Sequence, residues 1–191
     1  EIGFETYQKI MNEAIEELKE NEFKELYESE SDIDTKEYVK ELQIDTDFEL
    51  LFPDEYINNI SERLNLYNEL GNLKTEEELQ AFETKLIDRF GPLPKEAKAL
   101  LNSIRIKWFA THMGIEKIVM KQGKLIGYFV SDQQSDYYNS RQFSKVLRFV
   151  QLHGNLCKMK EKETKNGLRL LLTFENVKSI NKALELMQML E

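Results

Sequence analysis

Cysteine, histidine, proline and glycine are all scarce in this chain of 191 residues, and each scarcity excludes something. The single cysteine, Cys157, excludes an internal disulfide and fits a reducing cytoplasm. It lies near Leu156 and Met159 in a strand-like stretch, so it reads as a small buried hydrophobe rather than a reactive thiol. The two histidines, His112 and His153, are too far apart to found a zinc site. Among the eight glycines there is no phosphate cradle. Gly123-Lys124 lacks the upstream glycine of a nucleotide-binding loop and falls in a hairpin. No apolar run approaches the roughly 20 residues of a membrane-spanning helix. The opening EIGFETYQKI lacks the basic start and apolar stretch of a signal peptide. Carboxylates are plentiful but follow helix-surface periodicity, with no pair singled out for acid–base work, and Ser103, Ser131 and Ser144 have no partnered motif. The expectation is a cytoplasmic, non-enzymatic chain with no catalytic residue, cofactor or metal of its own.

What is abundant is charge, and it is unevenly placed. Residues 1–90 carry 26 acidic and 9 basic side chains, whereas residues 91–191 carry 9 acidic and 17 basic. An acidic half repels phosphate backbones and invites a basic protein partner; a basic half does the reverse. Solvated helix faces would produce the same counts.

The apolar pattern predicts alternating helices and hairpins. Tyr7, Met11, Ala14 and Leu18 mark one long helix over 3–27, and the polar, acidic ESESDIDTKE at 28–37 reads as a linker. The chain opens on Glu1 inside a helical pattern, without Met, and is expected to be a piece of a longer protein. Tyr38 to Phe52 alternates as a strand ended by Pro53. Ile57, Ile60, Leu64 and Tyr67 give a helix over 56–71. Thr75 and Glu78 form a capping box for a helix whose core stripe is Leu79, Phe82, Leu86 and Phe90. Gly91-Pro92 ends it, and Pro94 opens a helix at 94–113 that is apolar on more than one side. Two hairpins follow, Ile115–Met120 with Leu125–Val130 and Leu156–Met159 with Leu168–Phe174, turning at Gln122-Gly123 and Asn166-Gly167. Asn139 is expected to cap a helix between the hairpins, with Gln142, and Asn176 the last helix. The fold class is α+β: a small antiparallel or mixed sheet of hairpins with about five helices, preceded by the long N-terminal helix.

Two clusters of residues bear on binding. Lys158, Lys160, Lys162, Lys165 and Arg169 fall on the second hairpin, Arg141, Lys145 and Arg148 on the preceding helix, and Tyr137, Tyr138 and Phe143 lie nearby. Aromatics among bases could stack on a single strand, so a DNA-binding accessory domain is one candidate. A stand-alone module binding a basic protein is another.

A third candidate comes from resemblance. Gly3-Phe4-Glu5-Thr6-Tyr7 and the helix it opens resemble a segment just after the translocation motif in the second motor lobe of transcription-repair coupling factors. Tyr56-Ile57, Arg63-Leu64-Asn65-Leu66-Tyr67 and the run from Leu86 to Pro94 resemble the C-terminal (TRCF-type) module of that family, the Mfd family. The resemblance implies residues 1–27 as the end of a motor lobe, 28–37 as an acidic linker and 38–191 as a regulatory module. It implies a parent that is an ATP-dependent DNA translocase, with ATP and Mg held upstream, acting on stalled RNA polymerase and recruiting nucleotide-excision repair. The module would pack on an N-terminal region that resembles the repair helicase's damage-recognition subunit, and mask the repair-recruiter surface until polymerase is engaged. That surface is basic in the family, so Glu83 and Asp88, with Glu77 and Glu78, are the expected contacts. Lys85 stands where an acid is expected in other members. Arg89, Phe90, Gly91 and Pro92 are expected to set the corner between two helices.

Overall fold

A computed structural model describes residues 37–164 and 167–190. The helix expected over 3–27, nearly all of the linker, Lys165 and Asn166 lie outside the described residues. The elements are β1 (Gln43–Thr46), α1 (Ile60–Asn72), α2 (Glu76–Phe90), α3 (Lys95–His112), β2 (Ile115–Lys121), β3 (Lys124–Phe129), a short 3-10 turn (Asp136–Asn139), α4 (Arg141–Leu152), β4 (Cys157–Thr164), β5 (Gly167–Phe174) and α5 (Ile180–Gln188). The five strands form one sheet in the order β1-β2-β3-β5-β4. β1 runs parallel to β2, and the other pairs are antiparallel, so the α+β sheet is mixed. A parallel pair cannot be joined by a tight turn. Here three helices make the crossover.

The strand expected from Tyr38 to Phe52 is only four residues long. The Thr46 hydroxyl accepts a hydrogen bond from the Phe48 amide at 3.0 Å and turns the chain out of the ladder. The later apolar residues serve two different cores: Phe48 and Leu50 pack on one, Phe52 on the other. The helix expected from 56 begins at Ile60. The Pro53 carbonyl first takes the amides of Tyr56 and Ile57 in a turn, and Asn59 supplies the cap. Two other expected caps move as well. Ser140, not Asn139, accepts from the Phe143 amide, and Ser179, not Asn176, accepts from the Lys182 amide. Asn139 is used in the 3-10 turn. Asn176 has φ +61°, and Val177 is buried beyond it, which holds the chain out of helix until Ile180.

The smaller core joins Phe52, Ile57, Leu66, Leu70, Leu79, Phe82 and Leu86 to Ala97 and Leu101 of α3. The larger one joins Ile106, Ala110 and Met113 to the sheet, α4 and α5. At about 100° per residue, Ala97 and Leu101 lie roughly opposite Ile106 and Ala110. α3 therefore presents one side to each core, which explains why its sequence is apolar on more than one side.

Cross-strand pairing sorts the sheet into two faces. Ile118, Met120, Leu125, Phe129, Leu172, Phe174 and Cys157 face the helices in the larger core. Lys117, Val119, Ile126, Tyr128, Leu171 and Thr173 face the other way, and their apolar members belong to neither core.

Candidate protein-interaction site

α2 begins at a complete capping box. Thr75 accepts from the Glu78 amide at 3.2 Å, and the Glu78 carboxylate accepts from the amides of Thr75 (3.3 Å) and Lys74 (2.8 Å). Glu78 is thus already engaged in its own helix start. Leu79, Phe82 and Leu86 are buried on one side of the helix. The basic residues of α2 are matched to acids of α1: Lys85 holds Glu69 through both carboxylate oxygens at 2.7 Å, and Arg89 pairs with Glu62. These pairs line a groove of about 500 Å³ between α1 and α2. They also show what Lys85 does here: it neutralises the neighbouring helix.

What remains outward is acidic. Glu77, Glu83 and Asp88 have no ion pair or hydrogen-bond partner among the described residues. Eleven residues separate Glu77 from Asp88, about 20° around the axis and some 16 Å along it, so they share a ridge. Glu83 sits about 140° round from Asp88, on the flank facing α3. Between them lie Thr84 and Ile87. Ile87 is 42% exposed, the one large apolar side chain of α2 left in water. An apolar residue flanked by acids is the composition of a small polar interface with an anchor. The sequence does carry a signal for Ile87, an isoleucine outside the 79-82-86-90 stripe.

The corner after α2 is held by Tyr56, whose hydroxyl donates to the Gly91 carbonyl at 2.9 Å. Gly91 has φ +87° and ψ −169°, a conformation open essentially to glycine alone. The Arg89 guanidinium lies 5.2 Å from the centre of the Phe90 ring, and that ring tilts against Tyr56. After Pro92 the chain buries Leu93, and Pro94 stands at the start of α3.

Sequence inspection also missed the pair that ties α2 to α3. Glu76 accepts from Arg105 Nε at 2.9 Å and from its terminal nitrogen at 2.6 Å. The Arg105 hydrogen bond holds the Glu76 carboxyl below its usual range, against a smaller opposing effect of burial. A carboxyl depressed in the folded state stabilises above its unfolded pKa, and that contribution disappears as pH falls through the folded pKa. Glu76→Gln is therefore expected to lower the midpoint of thermal unfolding by about 2 °C at pH 7, given about 0.5–1 kcal/mol for a partly exposed pair. In acid, as pH falls through the folded pKa of Glu76, the difference between variant and parent should shrink away. An undiminished difference in acid would show that the pair is not the cause.

The basic cluster divides. Lys158, Lys160 and Lys162 share the sheet face that carries Lys117 and Lys121. Arg141, Lys145 and Arg148 belong to α4, which packs on the opposite face. Tyr137 and Phe143 are buried and interlock with Phe129 and Tyr138, so they offer no platform for bases. Arg169 is turned to Glu116 at 2.8 Å and to the Phe129 carbonyl. Cys157 is buried, and burial pushes its thiol up, in keeping with a packing role. Among the described residues no group of three His, Cys, Asp or Glu is placed to hold a metal ion, and no helix is long and apolar enough to cross a membrane.

Comparison with known proteins points in one direction. A family model described as the TRCF domain matches residues 46–140. The chain is 28% identical over 160 residues to the transcription-repair-coupling factor of Rickettsia conorii, covering 84% of this chain and 13% of that protein. For the protein of the same name from Staphylococcus haemolyticus the identity is 28% over 189 residues, covering 96% and 15%. For that of Escherichia coli it is 33% over 117 residues, covering 61% and 10%. The chain thus spans only a small part of the length of each. A solved crystal structure of the C-terminal domain of a transcription-repair coupling factor superposes with a TM-score of 0.59 at 16% identity, covering 78% of this chain and 91% of that one. That likeness shows the fold.

Proposed function

Because the chain belongs to the family of the transcription-repair coupling factor C-terminal domain, we propose that it is a regulatory, autoinhibitory module without catalysis of its own. Its parent would be an ATP-dependent DNA translocase of the bacterial cytoplasm, with ATP and Mg bound upstream. The module would pack against the parent's N-terminal region resembling the repair helicase's damage-recognition subunit. There it would cover the surface for the excision-repair recruiter until RNA polymerase is engaged.

The observation that carries this is the charge left over on α2. Both of its basic residues are consumed by α1, while among the described residues Glu83 and Asp88 stay unmatched beside the exposed Ile87, and Glu77 stays unmatched further along the ridge. A mask that must come off is best held by polar, reversible contacts rather than a large apolar interface. One apolar anchor with an acidic rim has that character. The 140° between Glu83 and Asp88 sharpens the expectation: a basic surface would have to wrap α2 to meet both, with Ile87 and Thr84 in between.

The test is charge reversal in the intact parent. Glu83→Lys with Asp88→Lys should raise affinity for the excision-repair recruiter by roughly tenfold, the equivalent of about 1.4 kcal/mol of lost masking, and raise the ATPase rate. Recruiter affinity and ATPase both staying at parental values would mean that α2 is not the docking face. Binding of the 191-residue chain to the isolated N-terminal region, weakened by the same pair of changes, is the direct complement.

A further inference from the structure

The sheet face turned away from the helices carries a second surface, opposite in sign to α2. Register places Lys158, Lys160 and Lys162 at alternate positions of β4, opposite Thr173, Leu171 and Arg169 of β5. Leu171 in turn lies beside Tyr128 of β3, and Tyr128 beside Lys117 of β2. Ile126 lies beside Val119 in the next row, with Asp45 of β1 beyond. The result is an apolar centre of partly buried Val119, Ile126 and Tyr128 beside the buried Leu171, with Lys117 at one end of the Tyr128 row and the β4 lysines along the other side. Among the described residues, Lys117, Lys158, Lys160 and Lys162 have no ion-pair partner, while Lys121 is matched by Asp45 at 2.6 Å.

Lysines on an edge strand often only discourage strand addition. That does not account for Lys117, which stands on an interior strand three places away from β4 and points to the same face.

We propose that this face binds the backbone of a single-stranded nucleic acid, with a base resting on Tyr128. Three features favour that occupant over an acidic protein. The lysines of β4 recur about every 6.8 Å along a nearly straight line, a row of point charges suited to a repeating anion. The one arginine of the face is already turned to Glu116, so the face lacks the forked donor that suits carboxylates. A half-buried aromatic ring on a flat sheet between cations is the arrangement by which sheet platforms hold unstacked bases. The surface reads no sequence, and it is separate from the acidic helix on which the masking role rests.

The experiment uses the 191-residue chain and a labelled oligothymidylate followed by fluorescence anisotropy. The parent chain should bind at low salt, and affinity should fall roughly 50-fold between about 50 and 200 mM salt if four phosphates are neutralised. Lys158→Glu, Lys160→Glu and Lys162→Glu together should weaken binding at least tenfold. Tyr128→Ala should weaken it several-fold while leaving the salt slope unchanged, as expected of stacking rather than charge. Arg141→Glu with Arg148→Glu, on the far side of the sheet, should leave binding as it was. Absence of binding by the parent at low salt, or parental binding by the triple lysine variant, would overturn the proposal. So would competition by polyglutamate as effective as that by unlabelled oligonucleotide, which would assign the face to an acidic protein instead.

Discussion

Gly114→Ala is expected to cost about 4 kcal/mol of stability and to lower the unfolding midpoint by roughly 10 °C. Two independent causes add. Gly114 has φ +74°, which strains any residue with a Cβ. A Cβ placed there would also lie 2.1 Å from Cε2 and 2.3 Å from Cζ of Tyr137. That ring cannot retreat. It is fully buried among Tyr38, Phe129, Tyr138 and Phe143, and its hydroxyl donates to the Met113 carbonyl one residue before the glycine. A double-mutant cycle separates the causes. In a Tyr137→Ala background the clash is gone, so Gly114→Ala should cost only the backbone strain, about 1–3 kcal/mol. Strict additivity in urea denaturation would show that the ring and the glycine do not constrain one another.

Leu86→Ala should cost about 2–5 kcal/mol, because Leu86 is fully buried at the centre of the smaller core. The more informative outcome is where the loss is felt. α3 lends one side to each core, so neither core can lose its partner without exposing the back of the other. The chain has a single tryptophan, Trp108, half-buried against the smaller core, and its fluorescence reports that core alone. Far-UV circular dichroism reports the sheet as well. In the variant the two signals should shift together and keep coincident transitions. A fluorescence midpoint that moves while the sheet signal stays would show two independently folding halves.

The parts of the fold legible in the sequence are those decided within a few residues. Thr75 and Glu78 meet across one helical turn, and Leu79, Phe82 and Leu86 share a side whatever else the chain does. The hairpin at Gln122-Gly123 is likewise local: both turn residues take positive φ in the two-residue link that strand twist favours. Where two capping residues compete, as Asn139 does with Ser140 and Asn176 with Ser179, the choice depended on what must be buried next. The alternation of β1 continues past Thr46, but β2, its one partner among the described residues, lies some seventy residues further on. The acids of α2 could be named from the pattern, but not all of those already engaged. The engagement of Glu78 in its own cap follows from the Thr75 spacing, but that of Glu76 by Arg105, twenty-nine residues on, is not visible without the tertiary arrangement. The lysine face is the extreme case. Alternating lysines on β4 can be read directly, but their meeting with Lys117 needs the strand order and the side on which the helices lie.

The short β1 has a mechanical consequence. It is the first described strand, it sits at the sheet's edge, and four paired residues join it to β2. Val39 and Leu42 hold the chain in the larger core just before this ladder, and Phe52 holds it in the smaller core just after. Beyond it, the crossover helices are anchored through α3, which is wedged between two packed interiors. A pull that frees Val39 and Leu42 would next strip β1 and be checked at the buried Phe52, leaving the helical corner and the acidic surface of α2 folded while the sheet gains an open parallel edge at Lys117–Met120.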